Sequence, residues 1–174
     1  IPHGQKIALV GYNGAGKTTL VKLLMRLYDP TKGEILYNGK NVKEYPLADY
    51  RNAYSVIFQN YELIAAPLSE NITMSAEPLD EKKALDIFEQ TGFLHSFKAF
   101  KDGFSTPMTK EFDPNGVNLS GGEAQKISVA HVLYSGAGIL ILDEPSSALD
   151  PIAEYQLNRS ITEISREKTV IIIS

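Results

Sequence analysis

The 174-residue sequence contains no cysteine and no tryptophan. Without thiols there are no disulfide staples and no thiolate metal sites, so the composition suits a reducing cytosol. Also missing is any apolar run near the roughly 18 residues that a membrane-spanning helix needs. No span is therefore expected within these residues, and the opening residues do not read as a basic-then-apolar leader. Nor is there a basic excess: 17 Lys and Arg face 21 Asp and Glu, for a net charge of −4, with no block of one sign. Nucleic acid is accordingly not the expected partner. Three N-x-[ST] triplets begin at Asn71, Asn118 and Asn158. They matter only in a secreted protein, and glycosylation is not read from them. What remains is ordinary for a folded domain, with 43% hydrophobic and 22% charged residues, in a length that suits one domain or one domain plus a small insert.

Four short apolar runs, Ile7 to Val10, Ser55 to Phe58, Ile139 to Leu142 and Thr169 to Ile173, read as buried strands of one parallel sheet. Gly33 to Gly39 reads as a fifth strand in a separate antiparallel piece. Between them, Leu20, Leu23, Leu24 and Leu27 recur at helical spacing and predict a helix from Lys17 to about Leu27. Leu79 to Thr91, closed by Gly92, and Glu123 to Tyr134 predict two more. The expected domain is α/β, a parallel-sheet core over residues 1–59 and 135–174 with a helical subdomain over about 60–134. Both ends read as cut, since the chain opens almost directly on one apolar run and closes on another. A piece of a longer polypeptide is expected.

Gly11-Tyr12-Asn13-Gly14-Ala15-Gly16-Lys17-Thr18-Thr19 matches G-x-x-x-x-G-K-[ST] between an apolar strand and a helix. Glycines let successive N–H groups turn inward, and the helix N-terminus adds positive potential, which together make a phosphate cradle. Lys17 would reach the β- and γ-phosphates, and the Thr18 hydroxyl would hold Mg²⁺. Ile139 to Leu142 runs into Asp143 and Glu144. This places two carboxylates at the carboxyl edge of the sheet, where ligands bind in open α/β folds. Asp143 is expected on Mg²⁺ and Glu144 as general base for the attacking water. Taken alone, an Asp-Glu-Pro turn closing a strand explains the same residues equally well. Leu119-Ser120-Gly121-Gly122-Glu123 reads as a serine N-cap followed by two glycines that permit close approach. An ordinary helix start and an anion contact are both consistent with it.

Taken in order, these motifs resemble the ATP-binding cassette family, the nucleotide-binding domain of ABC transporters, which implies a P-loop NTPase fold for the core. The resemblance covers nearly the whole chain: the phosphate loop, a lone Gln59 after the second strand, the Leu119 to Glu123 signature, Asp143-Glu144, and Ser147-Ala148-Leu149-Asp150. It implies that Gly11, Asn13, Gly14, Ala15, Gly16, Lys17, Thr18 and Thr19 bind ATP, and that Thr18, Gln59 and Asp143 serve Mg²⁺. Glu144, Lys17 and Gln59 would be catalytic. Ser120, Gly121 and Gly122 would close over the γ-phosphate held by a second cassette, and Ser147 and Asp150 would lie along that dimer interface. The segments Tyr50 to Gln59 and Pro67 to Ile72 are similar to exporter-type cassettes. Glu111 to Asn118 occupies the place of the exporter X-loop without its usual Glu-Arg-Gly wording.

The resemblance further implies transmembrane domains in the same polypeptide, a place on the cytoplasmic face of the membrane, and ATP-driven export. A soluble ABC ATPase acting on ribosomes, DNA or iron–sulfur assembly shares the same motifs and is the alternative reading. The family's adenine-stacking aromatic and switch histidine lie beyond the two ends of these residues. Tyr12 is assigned no role, His131 is read as a packed or partly solvated helix side chain, and His3 and His95 as surface residues.

Overall fold

The computed structural model describes residues 1–12, 14–57, 62–144, 154, 155, 159, 161, 162 and 168–173. The chain falls into two units, described in turn. The first comprises Ile1–Val56, Ala137–Glu144 and the last strand. Its sheet runs in the order β1-β6-β5-β4, with β1 at Lys6–Leu9, β4 at Tyr54–Ile57, β5 at Ile139–Asp143 and β6 at Thr169–Ile173. β6 is parallel to both neighbours, pairing Ala8 with Ile172 on one side and Asp143 with Ile173 on the other. A parallel arrangement explains the unbroken apolar runs: Leu140, Ile141, Leu142, Val170, Ile171 and Ile173 are all 2% exposed or less.

Helix α1, Lys17–Leu24, buries Val21 against Ile141, Ile171 and Ile173, with Leu9, Leu24 and Tyr54 closing the cluster. It stops three residues short of the expected end. Arg26 takes a left-handed φ of 53°, and the C-terminal carbonyls are taken by helix α2, Leu47–Asn52. Tyr50 Oη donates to the Leu24 carbonyl. Arg51 donates to those of Met25 and Arg26 at 3.2 and 2.8 Å. The expected strand from Gly33 to Gly39 is also shorter. β2, Leu36–Tyr37, pairs antiparallel with β3, Lys40–Asn41. The turn between them is Asn38-Gly39 with φ of 51° and 77°, the geometry that suits a two-residue hairpin.

The second unit, Ile57–Gly136 with Pro145–Arg166, is mainly helical among its described residues. It holds α3 at Leu68–Thr73, α4 at Glu81–Thr91, α5 at Leu94–Phe97 and α6 at Gly121–Tyr134. α4 is capped by Asp80, whose Oδ1 accepts from the Lys83 N–H at 3.1 Å, and ends at Gly92 with φ of 69°. Its Phe88 stacks edge-on against Phe93 and Phe97 at 4.9 and 5.2 Å. α6 buries Ile127, Val129, Ala130, Val132 and Leu133. Buried around much of its second half and packed against both α3 and α4, it is the central helix of the unit.

Candidate nucleotide site

In the first unit, β1 leads through the glycine loop into α1. Gly16 is the N-cap at φ 92° and Gly14 sits at φ 84°. A left-handed turn of this kind favours glycine, because a Cβ crowds the neighbouring carbonyl oxygen. The Ala15 N–H closes the loop on the Tyr12 carbonyl at 3.0 Å. Lys17 folds back over this loop, its Nζ donating to the carbonyls of Gly11 and Tyr12. An ammonium group is thus held against the carbonyls at the start of the loop that leads into α1.

The side chains of α1 and β5 then meet. Thr18 Oγ1 donates to Asp143 Oδ2 at 3.1 Å, joining residues 125 positions apart. Asp143 is only 4% exposed, so its carboxylate needs such a partner. Glu144, the next residue, has a left-handed φ of 49°, unusual for glutamate. Its N–H donates to the Ile173 carbonyl at 3.0 Å. The end of β6 therefore fixes the backbone of the second carboxylate, a constraint that no sequence motif announces. A cavity of about 330 Å³ at the amino ends of the strands, lined by His3, Tyr37, Tyr54 and Thr169 among others, holds none of these groups.

In the second unit, Ser120 is the N-cap of α6, which starts at Gly121 and not at Glu123 as expected. The reason is a capping box. The Glu123 N–H donates to Ser120 Oγ at 3.3 Å, while Ser120 N and Oγ donate to Glu123 Oε2 at 3.0 and 2.7 Å. Glu123 is thus the third helical residue. Its carboxyl is held below its ordinary pKa, first by the Ser120 hydroxyl and next by Ser96. The S-x-x-E spacing was the available signal for this role. Gly121 and Gly122 are helical, forming the first turn.

Lys17, Thr18, Asp143 and Glu144 are thereby brought together within one unit. Asn13, Gln59, Ser147 and Asp150 lie outside the described residues. His131 Nδ1 donates to the Ile72 carbonyl at 2.9 Å, and His3 and His95 are exposed.

Residues 1–147 match the family model described as ABC transporter. The chain belongs to the ABC transporter family. It forms the ATP-binding ATPase domain of that family. All 174 of its residues align at 36% identity with ABC transporter B family member 6 of Dictyostelium discoideum, of which they cover 25%. The ATP-dependent lipid A-core flippase of Aliivibrio fischeri is 35% identical and 29% covered. The subtilin transport ATP-binding protein SpaT of Bacillus subtilis is 40% identical over 98% of this chain and 28% of its own length. Among solved structures, a bacterial Atm1-family ABC exporter with ATP bound superposes with a TM-score of 0.88 and 27% identity, over 98% of this chain and 30% of that one. The cassette thus spans between a quarter and a third of the length of these relatives. Among its described residues no helix is long and apolar enough to cross a membrane.

Proposed function

We propose that the cassette is the motor of an exporter, hydrolysing ATP with Glu144 as general base and Lys17 and Gln59 as further catalytic groups. The observation that carries this reading is the Thr18 to Asp143 contact at 3.1 Å, which joins the end of β5 to the phosphate loop. A hydroxyl and a buried carboxylate are hard oxygen donors suited to Mg²⁺, which keeps several waters and shares its shell with substrate phosphates. Thr18 and Asp143, with Gln59, would hold the ion. When bound it would neutralise charge on the phosphates.

The remaining roles follow from the chain's own groups. The loop N–H groups from Gly11 to Thr19 bind the phosphates. Lys17 exchanges its two carbonyl partners for phosphate oxygens, a gain because the ammonium then meets acceptors of opposite charge. Glu144 takes the proton of the attacking water. Ser120, Gly121 and Gly122 close over the γ-phosphate of a second cassette, with Ser147 and Asp150 along the head-to-tail interface. Residues 60–134 act as the helical subdomain, against the core of 1–59 and 135–174. Transmembrane domains of the same polypeptide place the cassette at the cytoplasmic face of the membrane, and ATP-driven closing and reopening of the cassette pair drives export. The names of the flippase and transport relatives support this reading. The test is Glu144→Gln in the full-length polypeptide: nucleotide binding is retained, an ATP-bound dimer accumulates, and hydrolysis is nearly abolished. Near-normal turnover would remove Glu144 as the base.

A further inference from the structure

We propose that Asn71 is a positioning residue that fastens the segment following Gln59 to the segment preceding Ser120, so that both are carried by one hydrogen-bonded piece. Asn71 is 0% exposed. Its Oδ1 accepts from the Ile64 N–H at 2.9 Å, and its Nδ2 donates to the carbonyls of Ile64, Ala66 and Pro67 at 3.1, 3.2 and 3.1 Å. A primary amide has two N–H groups, so three carbonyls share them and the side chain is saturated. Residues 62–66 form no helix or strand. Their backbone is held largely by this one buried amide, which begins its hold five residues after Gln59.

From there a ladder of backbone bonds runs toward the signature. The Leu68 N–H donates to the Thr106 carbonyl and the Met108 N–H to that of Ala66, each at 2.9 Å, around an antiparallel bridge of Pro67 with Pro107. The Val117 N–H donates to the Pro107 carbonyl at 2.9 Å and the Thr109 N–H to that of Val117 at 3.0 Å. The Lys110 N–H then donates to Asn118 Oδ1 at 3.1 Å, two residues before Ser120. The crossing at its far end tolerates only glycine. A Cβ on Gly116 would stand 1.8 Å from the Thr109 carbonyl oxygen and 2.8 Å from its carbon. Three short segments, 66–68, 106–110 and 117–118, are thus cross-linked by hydrogen bonds, with Asn71 anchoring one end and Gly116 permitting the other. Bonded this closely, a displacement of residues 62–67 is transmitted to the start of α6. Contiguity is the warrant here, and energetic coupling is what the experiment measures.

The inference rests on the assignment of Gln59 and Ser120 to the ATPase site. It is tested on the full-length polypeptide with Asn71→Ala, Gly116→Ala and the double variant, each checked for a cooperative melt. The phosphate loop lies in the other unit, so the nucleotide Kd is expected to stay within about twofold of wild type. The maximal hydrolysis rate at saturating ATP is expected to fall at least about tenfold in each single variant. The double variant is expected to be no slower than the worse single, since both break the same ladder. A purely structural role would lower melting temperature and leave kcat per folded molecule unchanged, and that result overturns the proposal. So does a double variant whose loss is the product of the singles. Should Asn71→Ala not fold, Asn71→Ser, which keeps one donor, replaces it in the same cycle. Wild-type hydrolysis that is absent fails the ATPase reading, hydrolysis insensitive to loss of the Ser120 hydroxyl fails the Ser120 assignment, and either takes this inference with it. An active, Ser120-dependent enzyme indifferent to Asn71 and Gly116 fails the inference alone.

Discussion

Ser120 carries two proposed duties, capping α6 and touching a phosphate across a dimer, and one substitution separates them. Removing its hydroxyl with alanine costs a helix about 1 kcal/mol at the N-cap, whereas glycine costs only a few tenths. In Ser120→Gly the backbone half of the capping box survives, because the N–H of residue 120 still reaches Glu123 Oε2, now at 3.0 Å. At about 2–4 °C per kcal/mol for a domain of this size, Ser120→Ala should melt a few degrees low and Ser120→Gly within about 1–2 °C of wild type. A hydrogen bond to a charged group contributes about 1.5–3 kcal/mol. Losing one at the reacting phosphate should therefore slow hydrolysis by about 10- to 150-fold, equally for the glycine and alanine variants. The assay is steady-state phosphate release by the full-length protein, paired with a thermal melt. If hydrolysis falls in step with melting temperature, so that alanine is slow and glycine is not, Ser120 is a cap and nothing more.

Other expectations are simpler. Lys17→Ala should weaken ATP binding, read by titration with a fluorescent nucleotide analogue; unchanged affinity would argue against the phosphate-loop assignment. Glu123, whose pKa the fold lowers below the ordinary 4.5, favours folding in its ionised form. That contribution is complete above the unfolded pKa and is lost as pH falls through the lower folded value. The melting-temperature advantage of wild type over Glu123→Gln should thus shrink as pH is taken from 7 to below 4, and a gap that does not change with pH refutes it. Tyr50→Phe removes the hydroxyl that bonds the Leu24 carbonyl and Tyr54 Oη at the end of α1. A melt should show a loss of about 1–3 kcal/mol, and none if water replaces the bond.

The sheet was nearly legible in the sequence because fully buried parallel strands leave an unmistakable trace. The run from Thr169 to Ile173 is β6 to the residue, and the other three apolar runs are displaced or extended by a single position. Helix ends were less legible. The leucine spacing that predicts α1 to Leu27 is indifferent to what happens at Leu24, where Tyr50 and Arg51 of α2 take the last carbonyls. Those partners lie about 25 residues away in sequence, beyond the reach of any local pattern. α2 itself, six residues long, is too short to show a helical period. By contrast, the short hairpin was written in the Asn38-Gly39 pair, a two-residue turn signal inside what reads as one strand.

The candidate site divides along the same line. Side chains whose identity is their chemistry, Lys17, Thr18, Asp143 and Glu144, were visible as motifs, since a phosphate loop and a strand ending in carboxylates each need fixed residue types at fixed spacing. What holds them was not visible, because it is backbone. The Ile173 carbonyl pins the Glu144 N–H, and Glu144 adopts a left-handed φ of 49° that nothing in the word Asp-Glu foretells. Such a conformation costs an L-residue about 1–2 kcal/mol, so the surrounding structure must over-determine it. The pairing of Asp143 with Ile173 in the parallel register does so, because it sets the last rung of β5 beside the carbonyl that Glu144 bonds. A general base must hold its position against a single water to gain from orientation. For Glu144, the base proposed above, the backbone is anchored by the strand next door, so a change at the end of β6 should reach hydrolysis before it reaches nucleotide affinity.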